Sequence, residues 1–220
     1  MFQHQNIVTT PLFLLFVGFS CLLSVVYYWG RRRNRKVFLA AFNDLVDVIH
    51  PDDQNFINIG GMVGYHANLL IEGKDNPFSK VEATITLLPR HSLLYMPISL
   101  MIMRFDRLFI TLHQRGKLSG EGHLIEKRYA GFRGPKITNA HRMDKVEIKW
   151  GDYDFLLYFE QVPLRDRFLS FVQKNPDPGI IRHIAFVAHQ RKCFLFMIPK
   201  IGRVKENLKP VYRWLCTVSN

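Results

Sequence analysis

The stretch PLFLLFVGFSCLLSVVYYWGRRRNRK, residues 11–36, decides how the rest of the chain is read. It is apolar from Pro11 to Trp29 and closes on the rings of Tyr27, Tyr28 and Trp29. Five cations then follow within six residues: Arg31, Arg32, Arg33, Arg35 and Lys36. A helix needs about 20 mostly apolar residues to cross about 30 Å of hydrocarbon at about 1.5 Å per residue. Residues 11–29 meet that length, and amphipathic rings at one end suit the headgroup layer. Lys and Arg beside a span are retained on the cytoplasmic side, so the sequence predicts the N-terminus outside and everything after Arg31 inside. A cleavable signal peptide would carry its charge before the apolar region and small residues after it. Here that order is reversed, which points to an uncleaved signal anchor. A buried core helix is the competing reading, but core helices seldom run this long without one polar face. The expected organisation is an extracytoplasmic tail (1–10), a single-pass transmembrane helix (11–30), a basic collar (31–36) and a cytoplasmic domain (37–220).

The chain has 220 residues, room for one sizeable domain, and a formal net charge of +12. Residues 1–30 contain no Asp, Glu, Lys or Arg, so the whole excess lies beyond the apolar run. Such a balance favours anionic partners such as phosphate backbones and acidic lipid headgroups. Cys21, Cys193 and Cys216 form no CxxC pair, which argues against a disulfide framework and for a reducing compartment. Among nine histidines, His183 and His189 in RHIAFVAHQRK are the nearest to a metal pattern. They lie on an expected strand without a third ligand, and zinc needs three or four converging groups. They read as surface or edge histidines, and neither a metal nor a cofactor is expected.

After the collar, VFLAAFNDLVDVIHP places Val37, Phe38, Ala41, Leu45, Val48 and Ile49 near helical spacing until Pro51 stops the pattern. This predicts an amphipathic helix continuing from the anchor. Strands are expected at INIGGMVGYHANLLIEG, KVEATITLLP, DRLFITLHQ, GHLIEKRYA, DKVEIKWG, DFLLYFEQ, IRHIAFVAHQ and KCFLFMIPK. Helices fit LRDRFLSFVQKN and RVKENLKPVYRWL, with Pro210 kinking the second. Runs of strands with a few covering helices make the domain α+β with a largely antiparallel sheet.

SLLYMPISLMIM, residues 92–103, stands outside that scheme. It is apolar on nearly every side, bracketed by Arg90 and Arg104, and too short to cross a bilayer. A core helix covering the sheet and an interfacial segment both fit, and Pro97 suggests a bent or two-part helix. Leu93, Leu94, Met96, Leu100, Met101 and Met103 would also suit an adaptable groove for a client helix or the membrane. The other notable segment, EKRYAGFRGPKITNAHRMDK, carries Lys127, Arg128, Arg133, Lys136, Arg142 and Lys145 beside Tyr129 and Phe132. Cations neutralise phosphates and exposed rings stack on unpaired bases, so this segment could meet RNA or headgroups; a solvated loop is the more frequent cause of such a run.

No catalyst assembles in the sequence. Ser119 in GKLSGEG lacks the strand-to-helix setting of a nucleophile elbow, and Gly60, Gly61 and Gly64 lack the Lys-Ser/Thr of a phosphate loop. Asp52 and Asp53 are neighbours in a turn, an arrangement that seldom aims two carboxylates at one site.

The order of features resembles a known family. A span ending in Gly30, a collar containing Asn34, the motif AAFN at residues 40–43, and Asn55 with Phe56 resemble the start of the cytosolic domain in the calumin family. The likeness continues through LLPRHSLLYMPISLMIMRFDRLFITL, with Asp106 leading into a strand, and through CFLFMIP before the last helix. That family is the coiled-coil-containing subunit of the PAT complex, a chaperone for multipass membrane proteins near the translocon. The resemblance implies a non-enzymatic, membrane-anchored factor assisting insertion or folding of such proteins. Its expected partners are membrane lipids, the translocon, a small membrane-protein partner subunit, nascent membrane proteins and the ribosome, with no DNA. The family's acidic lumenal region and C-terminal coiled coil have no counterpart here, so calcium binding is not carried over. The alternatives are a lipid-binding protein or lipid-facing enzyme using the basic surface, or an anchored sensor for a small ligand.

Overall fold

In the computed structural model, which describes residues 10–116, 120–131 and 134–218, the anchor and the helix after the collar are one unbroken helix, α1 (Pro11–Ile49). Pro11 sits in its first turn, where a missing N–H costs no intrahelical bond. His50 ends it in the left-handed conformation (φ 50°), its N–H donating to the Val46 carbonyl, and Pro51 cannot continue the helix. Thirty-nine residues make a rod about 58 Å long at about 1.5 Å per residue. Its two halves differ in character. Every buried residue of α1 lies in the second half, on the stripe Gly30, Asn34, Val37, Ala41, Phe42, Leu45, Val48 and Ile49.

The domain is α+β, built on one nine-stranded antiparallel sheet. In chain order the strands are β1 (Asp53–Asn58), β2 (Gly64–Leu70), β3 (Phe78–Thr86), β4 (Arg107–Gln114), β5 (Gly122–Glu126), β6 (Asp144–Trp150), β7 (Tyr153–Phe159), β8 (Ile181–Val187) and β9 (Lys192–Met197). Their spatial order is β1-β2-β3-β4-β9-β8-β5-β7-β6. The pairing of β4 with β9, Leu108 opposite Met197 and Leu112 opposite Cys193, joins the two halves of the sheet. Four further helices complete the fold: α2 (Met96–Ile102), α3 (Lys127–Gly131), α4 (Val162–Lys174) and α5 (Val204–Val218).

Alternation within the strands sorts the side chains to two faces. Leu108, Ile110 and Leu112 of β4, Leu69 of β2, Ile85 of β3, Phe186 of β8 and Leu195 of β9 form the main core with α1, α4 and α5. Trp214 of α5 nests among Phe168, Phe171 and Phe186, with ring centroids 4.5–5.4 Å away. The helix runs through Pro210, and its buried face of Val204, Leu208, Val211 and Leu215 holds it against the sheet. The opposite face carries a smaller cluster in which Phe196 stacks on Phe109 and Tyr129.

Three expected strands differ in detail. INIGGMVGYHANLLIEG is a hairpin, β1 turning into β2 through residues 59–63. KRYA is the helix α3 rather than the end of a strand, because Tyr129 turns back onto Phe196, 4.3 Å between centroids. AHQ at Ala188–Gln190 is a 3-10 turn between β8 and β9. Ser119 and Arg133 fall outside the described residues.

Candidate membrane-interface site

One helix long and apolar enough to cross a membrane lies near the N-terminus, and none of its most apolar 18-residue window is buried by the rest of the molecule. Leu12, Leu15, Phe16, Tyr28 and Trp29 are exposed, as expected of a span that faces lipid and aromatics that face headgroups. These features fit a single-pass membrane protein. All five collar cations are exposed, whereas Asn34 among them is fully buried.

Where α1 leaves the apolar run it meets the domain at Gly30. A Cβ there would lie 2.2 Å from the backbone carbon and oxygen of Arg90 and 2.4 Å from the nitrogen of His91. Only glycine permits this approach. One turn further on, the Asn34 amide donates to the carbonyls of Met62 (3.1 Å) and Leu88 (2.9 Å). Its own carbonyl accepts from the Arg90 guanidinium at 2.9 Å. That guanidinium also forks onto Asp106, 2.9 and 2.8 Å to the two oxygens. Asp106 Oδ1 in addition accepts the Leu88 N–H at 2.8 Å. The Arg90–Asp106 pair is largely buried, with side chains 18% and 7% exposed. A buried fork of this kind is geometrically specific, since planar guanidinium and carboxylate match in two bonds.

This polar knot fixes the segment between its two stems. Arg90 stands before residues 92–103 and Asp106 after them, at the entrance to β4, so both ends of that excursion are tied to α1. The excursion is not core, which corrects the covering-helix reading. Leu94 is 72% and Met101 77% exposed, with Tyr95, Ile98, Leu100 and Ile102 between 43% and 52%. Leu93, Met96 and Met103 are half-buried, and Ser99 is the one buried residue of α2. Pro97 does not divide the segment, because α2 begins at Met96 and the proline occupies its first turn. In the fold, α1, α4 and α5 cover the main apolar face of the sheet, and α2 contributes no side chain to that core or to the smaller cluster on the other face.

Its position relative to the anchor is defined by contacts. The His91 ring stands edge-on to Tyr27 at 6.1 Å. Leu23, Ser24 and Tyr27 of α1 and His91, Ser92, Leu93 and Leu94 line a shared cleft of about 470 Å³. Leu23 and Ser24 lie six and seven residues before Gly30, about 10 Å along the helix toward the apolar end. The root of α2 therefore stands beside the span itself, beyond its aromatic belt. Six apolar side chains, on average a little over half exposed and worth roughly 1.5–3 kcal/mol each for complete burial, leave on the order of 5–10 kcal/mol of transfer free energy unrealised in water. A contiguous apolar patch of that size marks a membrane or protein contact.

The basic segment after β5 is not gathered into one surface. Lys127 and Arg128 sit on α3 at one end of β5, with Lys127 bonded to Glu147 at 2.5 Å. Lys136 lines a cavity at the other end of that strand, beside Glu121. Arg142 lies in a 3-10 turn (Ala140–Arg142), and Lys145 packs its ammonium 5.5 Å from the Tyr158 ring centroid. Five residues of strand, about 17 Å, separate the two groups.

His183 is also relocated by the structure. It is buried, 2% exposed, in the interior of the sheet between β5 and β9 rather than at a surface or edge. Its Nε2 lies 3.3 Å from His123 Nδ1, and His123 Nε2 lies 3.3 Å from Glu121 Oε1. Burial pushes both imidazoles below the usual histidine range, His183 strongly; for His123, the Glu121 carboxylate pulls the other way. Glu121 and His123 had a faint signal in the sequence, two polar residues two apart at the start of a strand whose middle, Leu124 and Ile125, is apolar. Among the described residues no three His, Cys, Asp or Glu side chains are placed to hold a metal ion. No protein-family model and no curated protein matches the chain.

Proposed function

We propose that the chain is a non-enzymatic, membrane-anchored factor that assists insertion or folding of multipass membrane proteins, its N-terminus outside and its domain cytoplasmic. The observation that carries this reading is the exposed apolar α2, tied through Arg90 and Asp106 to the anchor at the level where the span ends. An unsatisfied transmembrane helix of a client offers the apolar surface that α2 and the flank of α1 lack, and the adaptable side chains of Leu94, Leu100 and Met101 fit varied partners. The likeness to the calumin family supports the same reading. The orientation rests on the collar, whose five cations stay on the cytoplasmic side. With the basic residues after β5 divided between two places, ribosome contact falls to the collar and to smaller groups such as Lys127 with Arg128.

An aspartate scan of residues 93–103 tests the proposal, read by thermal unfolding and by photocrosslinking to a stalled membrane-protein chain. Leu94→Asp and Met101→Asp should leave stability within about 0.5 kcal/mol, since they alter exposed positions, while crosslinking is lost. If every substitution that removes crosslinking also unfolds the domain, or none removes it, α2 is not a client contact.

A further inference from the structure

At the end of β5 and β8 farthest from α2, a cavity of about 570 Å³ opens between Glu121, His123, Glu160, His183, His189 and residues 135–139. The register places it there: Leu108, where β4 leaves the α2 excursion, aligns with Met197 and through it with Ile181 at the start of β8, whereas the cavity adjoins the end of that strand. The Glu121 carboxylate is buried, 7% exposed, yet its side-chain partners among the described residues all lie at long bonding distance. They are His123 at 3.3 Å, Asn139 at 3.2 Å and His189 at 3.6 Å. Charge-assisted bonds usually close to about 2.7–2.9 Å. Glu160 stands next to it, its Oε2 accepting the Glu121 N–H at 2.8 Å. Lys136 also lines the cavity, but it is exposed and among the described residues forms no ion pair with either carboxylate.

The imidazoles extend this surplus of acceptors. A carboxylate beside His123 Nε2 selects the tautomer whose Nε2–H donates to Glu121, so Nδ1 accepts from the Nε2–H of His183. Neutral His183 is then left with a lone pair on Nδ1, and that atom is buried without a partner. Two neighbouring carboxylates, one of them buried with only long bonds, and an acceptor left over at the end of the imidazole chain make this a site with more acceptors than closely placed donors. Among the described residues the side chains do not converge as metal ligands do, so a ligand carrying N–H donors suits these acceptors better than a metal ion.

We propose that this cavity binds a small soluble organic ammonium ion, whose N–H groups donate to Glu121 and Glu160. Its distance from α2 separates it from lipid headgroups and from the client-binding reading, which stands or falls independently. The test is calorimetric titration of the full chain in detergent micelles with putrescine as probe and butane-1,4-diol as its uncharged counterpart. Saturable binding of putrescine alone is expected. It should weaken about tenfold or more in Glu121→Gln and in the exposed Glu160→Gln, and stay unchanged in Asp166→Asn on α4. Should Glu121→Gln fail to fold, Glu160→Gln decides. No saturation up to millimolar putrescine, equal binding of the diol, or an affinity unchanged by Glu160→Gln overturns the proposal. Zn²⁺ binding lost in His123→Ala, with no putrescine binding, overturns it in favour of a metal.

Discussion

Replacing Asp106 by alanine probes the junction between anchor and domain most directly. The carboxylate accepts three bonds, two from Arg90 and one from the Leu88 N–H. Its loss strands a guanidinium that is 18% exposed and orphans a buried backbone donor. Removing one partner of a buried ion pair costs about 3–5 kcal/mol, and the residual exposure of Arg90 reduces this to roughly 2–4. The unsatisfied N–H adds about 1–3 kcal/mol. A total near 3–7 kcal/mol is a large share of the roughly 5–15 kcal/mol typical of a folded domain. Asp106→Asn keeps one acceptor for Leu88 and should cost clearly less. In Arg90→Gln/Asp106→Asn the stranded charge is absent, so the double variant should recover part of the loss, with a coupling of about 1–3 kcal/mol. Urea unfolding followed by tryptophan fluorescence in detergent micelles measures the unaltered chain, Asp106→Ala, Asp106→Asn, Arg90→Gln and the double variant. Asp106→Ala as stable as the unaltered chain, or purely additive single and double variants, would show that the knot does not hold the domain to α1.

Gly30→Ala should force α1 away from Arg90 and cost about 1–3 kcal/mol by overpacking, whereas Gly18→Ala, with nothing within 4 Å, should be neutral. Hydrogen exchange resolves the difference, with faster exchange expected at Leu88–Asp106 amides in the first variant only. Because His123 and His183 bind protons more weakly folded than unfolded, acid favours the unfolded chain. Stability should be level above the unfolded histidine value of about 6.5 and fall below it by up to about 1.4 kcal/mol per pH unit for each histidine. A chemical-denaturation series from pH 7.5 to pH 5.5, flat throughout, would contradict this; His183→Gln should lessen the slope. Exchanging all five collar cations for glutamine should scramble orientation, read by protease access to tags at both ends of the chain in sealed vesicles. An unchanged orientation would mean that other charges direct insertion.

The periodic parts of the fold were legible because their signal is local. Leu108, Ile110 and Leu112 alternate as a half-buried strand must, and Val37, Ala41, Leu45 and Val48 repeat as one face of a helix. The role of residues 92–103 was not legible, because apolarity shows that a segment avoids water without showing what covers it. That answer came only with the packing, in which α1, α4 and α5 cover the main sheet face and α2 joins neither cluster. The knot was hidden for a related reason: Asn34, Arg90 and Asp106 are 16 and more residues apart, and nothing local distinguishes a buried Asn within a collar from a solvated one. The Glu121–His123–His183 chain likewise forms only when β8 pairs with β5.

The continuity of α1 gives these pieces a mechanical relation. A flexible linker after the span would let the domain sample many heights above the membrane, and an exposed apolar helix on such a domain would meet other copies in solution as readily as a client. Here the same rod that carries the apolar, membrane-length run supplies Val37, Ala41, Phe42, Leu45, Val48 and Ile49 to the core, so moving the domain relative to that run means exposing the stripe. At roughly 1.5–3 kcal/mol for each of the five large side chains, the cost is comparable to the whole stability of a typical domain, about 5–15 kcal/mol. The height of α2 is therefore set by residue count along one helix. Inserting a single residue between Trp29 and Gly30 would rotate the lipid-facing half by about 100° relative to Gly30 and Asn34. The domain should remain folded, because residues 30–49 keep their register against the sheet. The cleft shared by Leu23, Ser24, Tyr27 and Leu94 would be dismantled, so crosslinks between α2 and the span should disappear. Inserting four residues restores the facing approximately, at about 6 Å greater depth, and should restore part of the crosslinking. Crosslinking unaffected by the single insertion would mean that α2 does not depend on the face of the anchor beside it.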